Sequence, residues 1–147
     1  MSARIDMSAL RSVGVFPVTV EAGRMRHFAA AIGVIPDEAG PVPFAFPVSW
    51  LSNPEIRAAL EAELQRDAGI AGDVLPVHLD QSIALAEPLR VGEDYLLSLA
   101  IEGPDPRGIV QITGQITGPD ARALGSLGLR LALVALDDAR TANRTGP

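Results

Sequence analysis

The hydrophobic period of this chain changes near Gly72, and that change limits its fold more than any motif does. Between Thr19 and Gly69 apolar residues recur at helical spacing; beyond Gly72 they alternate, as strands with one buried face require. The first segment to read clearly is a strand, Val13 to Thr19, and Pro17 within it predicts an edge position or a strand end, since proline donates nothing to a ladder. In "TVEAGRMRHFAAAIG" the residues Met25, Phe28, Ala29 and Ile32 fall on one helical stripe. Thr19 is placed to cap that helix, Glu21 to complement its positive end, and Gly33 to stop it in the left-handed conformation. A connector, Val34 to Pro43, follows, and the short apolar stretch Phe44 to Leu51 reads as a buried helical turn or two. Asn53 and Pro54 then open a longer helix, with Ile56, Ala59, Leu60 and Leu64 as its buried stripe and Gly69 as its end.

Beyond Gly72 the segment "LPVHLDQSIALAEPL" alternates, with Val77, Leu79, Ile83 and Leu85 on one face and His78, Asp80 and Ser82 on the other. Tyr95 to Glu102, Ile109 to Thr117 and Leu124 to Leu136 read as three further strands, joined by turns built from Gly, Pro and Asp. The order is strand, helix, connector, helix, four strands. Helices gathered early and an antiparallel meander late describe an α+β domain. A curved antiparallel sheet wrapped around one long central helix fits that order, and its edges call for a dimer that continues the sheet. The 147 residues suit one domain, with a core over about 13–136 and a polar tail over 137–147.

Composition excludes several functions. The net charge of −6, with no basic block, gives nucleic acid no footprint. No apolar run approaches the ~20 residues that span a bilayer, and no secretory leader is visible, so a cytoplasmic location is expected. The chain has no cysteine, and all 12 of its basic residues other than histidine are arginine. Thiolate chemistry, Schiff-base chemistry and a phosphate-loop lysine are therefore out of reach. Two histidines far apart in the chain make a metal site an unsupported reading.

Four stretches, in order, resemble one family. "VTVEAGRMRHFAAAIG", "GPVPFAFPVSWL", "VHLDQSIALAEPLRVGEDYLLSLAIEG" and "ITGQITGPDARALGSLGLRLALV" are similar to the successive pieces of MaoC-like dehydratases and (R)-specific enoyl-CoA hydratases, including the N-terminal dehydratase domain of the fatty-acid-synthase type. The resemblance implies a single hot dog domain, a coenzyme A or acyl-carrier thioester as substrate or ligand, no other cofactor, and a homodimer or a heterodimer with a catalytic hot dog subunit. In active members the loop after the first helix carries a "D-x-N-P-x-H" motif, whose two titratable groups do the acid-base work. Here that stretch is "GVIPDEA": Val34 stands at the aspartate position, Pro36 is kept, and Glu38 falls near the histidine. The dyad does not carry over. A non-catalytic, partner-dependent subunit is therefore expected. The alternatives are a hot dog thioesterase using Asp37 or Glu38 as base, and a thioester-binding protein without turnover.

The resemblance further implies that backbone amides at Phe44 and Ala45 face the thioester carbonyl and that Phe44, Phe46 and Trp50 line an acyl pocket. Phosphates of coenzyme A would fall to Arg24, Arg26 or Arg90, with Arg130 a further possibility. Each has a plainer reading as loop acid, core aromatic or surface arginine. His27, off the buried stripe, reads as a surface residue. His78, Asp80 and Ser82 read as a polar sheet face, because i and i+2 side chains on a strand stand about 6.5–7 Å apart, too far for a nucleophile and its base.

Overall fold

The structure, a computed structural model, describes residues 10–35, 42–43, 45–67 and 74–135. Strand β1 (Arg11–Thr19) leads into helix α1 (Ala22–Ala31); a 3-10 helix (Phe46–Ser52) then runs directly into helix α2 (Pro54–Asp67). Four strands follow: β2 (Val74–Leu85), β3 (Asp94–Glu102), β4 (Ile109–Thr117) and β5 (Ala123–Ala135). They form one five-stranded sheet in the order β1-β3-β4-β5-β2, antiparallel at every pairing. The α+β order and the strand count agree with the sequence reading. Gly69, Leu136 and the polar tail lie outside the described residues.

The termini of the helices follow from particular side chains. Asn53 Oδ1 accepts from the Glu55 amide at 3.0 Å and Asn53 O from the Arg57 amide at 2.8 Å, with Pro54 at the first helical position where no amide is needed. At the end of α1, Gly33 takes φ +77°, its amide donates to Ala30 O at 3.2 Å, and the Val34 amide donates to Ala29 O at 2.8 Å. This pair of bonds satisfies two carbonyls that the helix leaves open. The start of α1 departs from expectation: Thr19 makes no cap, and its hydroxyl instead donates to Glu93 O at 3.0 Å. The reason is geometric, since β1 runs through Thr19 and the helix starts only at Ala22.

Core packing follows strand alternation. On β3 the inward residues Tyr95, Leu97, Leu99 and Ile101 are all buried, and on β4 so are Val110, Ile112 and Ile116. Gly114 occupies the inward place between the last two; a Cβ there would sit 2.9 Å from Leu127 Cγ and 3.1 Å from Leu97 Cδ1. Its missing side chain is the room those leucines fill. Against this face lie Met25 and Ala29 of α1, Phe46 and Trp50 of the 3-10 helix, and Ile56 and Leu60 of α2. Each large side chain so buried stabilises by about 1.5–3 kcal/mol. Ala59 and Leu64 pack on the rim of that cluster as expected, whereas Ile32 does not join the stripe and is 51% exposed. Arg11 ties the layers together at one end, with Nε 3.7 Å from Glu63 Oε2 on α2 and a 2.9 Å bond to Gly103 O.

β2 carries a correction. Its pairing with β5 shifts between His78 and Asp80, so Leu79 is the extra residue of a bulge. A bulge inverts the faces on its two sides. His78 pairs with Leu131 on the core side, along with Gln81, Ile83 and Leu85, while Val77 shares the outer side with Asp80 and Ser82. Asp80 there meets Arg130 across the strands at 3.3 Å.

Two outcomes test these assignments. Asn53→Ala is expected to lower unfolding free energy by about 1 kcal/mol in urea, with the denaturant slope unchanged. In the β3–β4 turn, the Ile109 and Arg107 amides donate to Asp105 Oδ1 at 2.9 and 2.8 Å. The Ile109 amide is the first cause holding this carboxyl below its ordinary 3.8, with the Arg107 amide and guanidinium adding to it. A depressed folded value means stability present above the unfolded value and lost as pH falls through the folded one. The melting-temperature gap between wild type and Asp105→Ala is thus expected to be widest near neutral pH and to shrink in acid below the ordinary carboxylate range.

Candidate functional site

The region where α1, the 3-10 helix and the start of α2 meet is held by a chain of aromatic rings. Phe28 meets Phe46 edge-on with centroids 5.6 Å apart, Phe46 meets Trp50 at 6.1 Å, and Trp50 meets Tyr95 at 6.2 Å. The first two are edge-to-face pairs, which contribute beyond the area they bury, and the third is tilted at 39°. The indole Nε1–H of Trp50 donates to Thr19 O at 3.1 Å, which pins the 3-10 helix to the end of β1. At the far end of the chain, Tyr95 Oη accepts from the Arg90 amide at 2.8 Å and donates to Glu93 Oε2 at 3.1 Å. Burial pushes this phenol above its ordinary value; the Arg90 amide opposes the shift and Glu93 adds to it. It stays protonated at neutral pH and serves as a structural tie.

In front of the aromatic chain lies a cleft of about 340 Å³ between α1 and the 3-10 helix, lined by Gly23, Arg24, His27, Phe28, Ala31, Ser49 and Ser52. Arg24, His27, Phe28 and Ala31 occupy positions i, i+3, i+4 and i+7 of α1 and so form one face. Ser52 Oγ donates to Ser49 O at 2.7 Å across the opposite wall. His27 lines this cleft and is exposed to solvent, as its place off the buried stripe predicts. The signal was present in the sequence as helical spacing of polar residues, beside the apolar stripe that drew attention first. Ser49 and Ser52 could not be connected to it without knowing how the 3-10 helix turns back on α1.

The other residues singled out from the sequence do not gather here. Asp37, Glu38 and Phe44 lie outside the described residues. Ala45 is half-buried at the start of the 3-10 helix; the next amide, that of Phe46, is engaged by Pro43 O at 3.0 Å, and Pro47 has none. Phe46 is 0% and Trp50 3% exposed, so both rings lie within the core cluster. Of the arginines, Arg24 is in the cleft wall, whereas the cleft lining excludes Arg26 and Arg90, the latter in the β2–β3 connection. Arg130 is paired with Asp80 on the outer face of the sheet. Among the described residues no polar or charged residue is buried, and no group of three His, Asp or Glu could hold a metal ion. His78 Nε2 lies 3.1 Å from the carbonyl of Asp80, not from its carboxylate. No described helix is long and apolar enough to cross a membrane.

No protein-family model and no curated protein sequence matches the chain. Solved structures do. A hot-dog-like protein from Thermanaerovibrio acidaminovorans superposes with TM-score 0.60 at 12% identity, over 94% of this chain and 91% of that one. The 1,4-dihydroxy-2-naphthoyl-CoA thioesterase of Synechocystis gives 0.56 at 18% identity, over 84% and 82%. The C-terminally truncated HadBC complex of Mycobacterium tuberculosis, a (3R)-hydroxyacyl-ACP dehydratase, gives 0.55 at 17% identity, over 82% and 96%. These likenesses, together with the strand order, show a single α+β hot dog domain.

Proposed function

We propose, from the hot dog fold, that this chain handles acyl thioesters as a MaoC-like subunit of the hydratase and dehydratase type, without an acid-base dyad of its own. The observation that carries the second half is the dispersal of its titratable groups. Hydration needs a base on water and an acid at the neighbouring carbon, converging on one substrate. His27 lies on α1 and His78 on β2, at separate places in the fold, and Val34 stands at the aspartate position of the family motif. The ligand is a coenzyme A or acyl-carrier thioester, with no further cofactor. In this reading Phe44 lies on its acyl wall, backed by Phe46 and Trp50 in the core, and the amides at Phe44 and Ala45 meet its carbonyl.

The partner is a second hot dog chain, a catalytic one or another copy. Strand β2 pairs only with β5 among the described residues and carries Leu75, Val77 and Leu79 at 46%, 40% and 44% exposure. A long strand with one open ladder and exposed apolar side chains is a ready template for another strand. The second reading is a thioesterase with Asp37 or Glu38 activating water. The structural likeness to a naphthoyl-CoA thioesterase favours it as the alternative.

One assay separates the readings. The purified chain is mixed with crotonyl-CoA and acetyl-CoA while enoyl absorbance and free thiol are followed. Neither signal is expected to change, and adding a dyad-bearing hot dog partner is expected to raise hydration by roughly a hundredfold or more over the chain alone. Hydration by the lone chain overturns the partner reading. Thiol release that disappears in Asp37→Ala or Glu38→Ala transfers the assignment to the thioesterase.

A further inference from the structure

The cleft between α1 and the 3-10 helix contains a hydroxyl that the fold does not use. Ser49 Oγ is shut off from solvent and has no hydrogen-bond partner among the described residues, while Ser49 itself lines the cleft. A buried polar group without a partner destabilises the protein that carries it, and native structures hold few of them. Arg24 and His27, one helical turn apart on α1, line the same cleft. Neither wall contributes a carboxylate, since α1 reads AGRMRHFAAA and the 3-10 helix FPVSWLS. In a chain of net charge −6 this is a local concentration of cationic and neutral donors.

We propose that this cleft binds a phosphate ester, with Arg24, His27 and Ser49 donating to the phosphoryl oxygens. The guanidinium fork matches two oxygens of a phosphate, and a hydroxyl on the opposite wall reaches a third. The volume of about 340 Å³ exceeds that of a bare phosphate and lies in the range of small-molecule sites. Phe28 and Ala31 supply an apolar wall for the rest of the ligand. Such an ester is presented either by a free phosphorylated metabolite or by the 3′-phosphoadenosine end of coenzyme A. The second source rests on the acyl-thioester reading; the site does not.

The test titrates the full chain by calorimetry with inorganic phosphate, adenosine 3′,5′-bisphosphate, coenzyme A and dephospho-coenzyme A. Saturable binding of the bisphosphate is expected, about tenfold or more weaker in Arg24→Gln and in Ser49→Ala, and unchanged in Arg107→Gln. Ser49→Ala is also expected to raise the melting temperature of the ligand-free chain. Raised stability with lowered affinity is a pair of shifts that a packing role would not produce. Arg24 is exposed, so Arg24→Gln tests binding in a folded protein. Coenzyme A bound in preference to dephospho-coenzyme A, with the same dependence on Arg24, assigns the phosphate to the coenzyme. Equal affinity for those two, with the bisphosphate still bound, assigns it to a free ester. Absence of saturable binding by both phosphate and bisphosphate, or binding undiminished in Arg24→Gln, overturns the proposal whatever the crotonyl-CoA assay shows.

Discussion

A sheet face that is apolar across four of its five strands has to be covered, and this chain has little with which to cover it. The inward residues of β1, β3, β4 and β5 are hydrophobic, and three short helical segments are all that the described residues provide to shield them. That shortage explains the density of the interface. α1, the 3-10 helix and α2 each commit large apolar side chains inward, and aromatic rings bridge the gaps between segments. Trp50 is central because it does two tasks, filling volume between Phe46 and Tyr95 and tying the cover to the end of β1 through its indole N–H. Arg24, His27, Ser49 and Ser52 accordingly sit at the rim, in the cleft between α1 and the 3-10 helix.

Local signals in the sequence carried far where they involved residues close in the chain. Asn53 with Pro54, the glycine at position 33 and the stripe Ile56, Ala59, Leu60, Leu64 each express short-range geometry, and the structure follows them. The strands, read from alternation, lie within two residues of their observed bounds where both ends are described. Failures share a different origin. The bulge at Leu79 depends on how β5 pairs with β2, so period-two counting put His78 on the wrong face. Thr19 was spent on β1 and on Glu93, contacts invisible from its neighbours in sequence. Ile32 follows the helical stripe and yet lies beyond the cover.

The site was legible in part for the same reason. Arg24 was a candidate because guanidinium suits phosphate, but its association with His27 needed the helix face, and its association with Ser49 needed the tertiary fold. Asp37, Glu38 and Phe44 rest on the family resemblance. What joins the two functional ideas is their placement along one structural unit. The proposed thioester end lies where the connector enters the 3-10 helix, and the proposed phosphate end lies where the same 3-10 helix faces α1.

The two margins of the sheet differ in length and exposure but share the same interruptions. Along β1 the ladder is interrupted by a register shift between Ser12 and Gly14 and by Pro17, which has no amide to offer. Along β2 the outer rail runs for 12 residues with its side chains largely open to water, and it too carries a proline, Pro76, and the bulge at Leu79. Each margin thus breaks the run of free ladder groups that a fibre of stacked chains would need, while the exposed length of β2 still leaves stretches open to a partner strand.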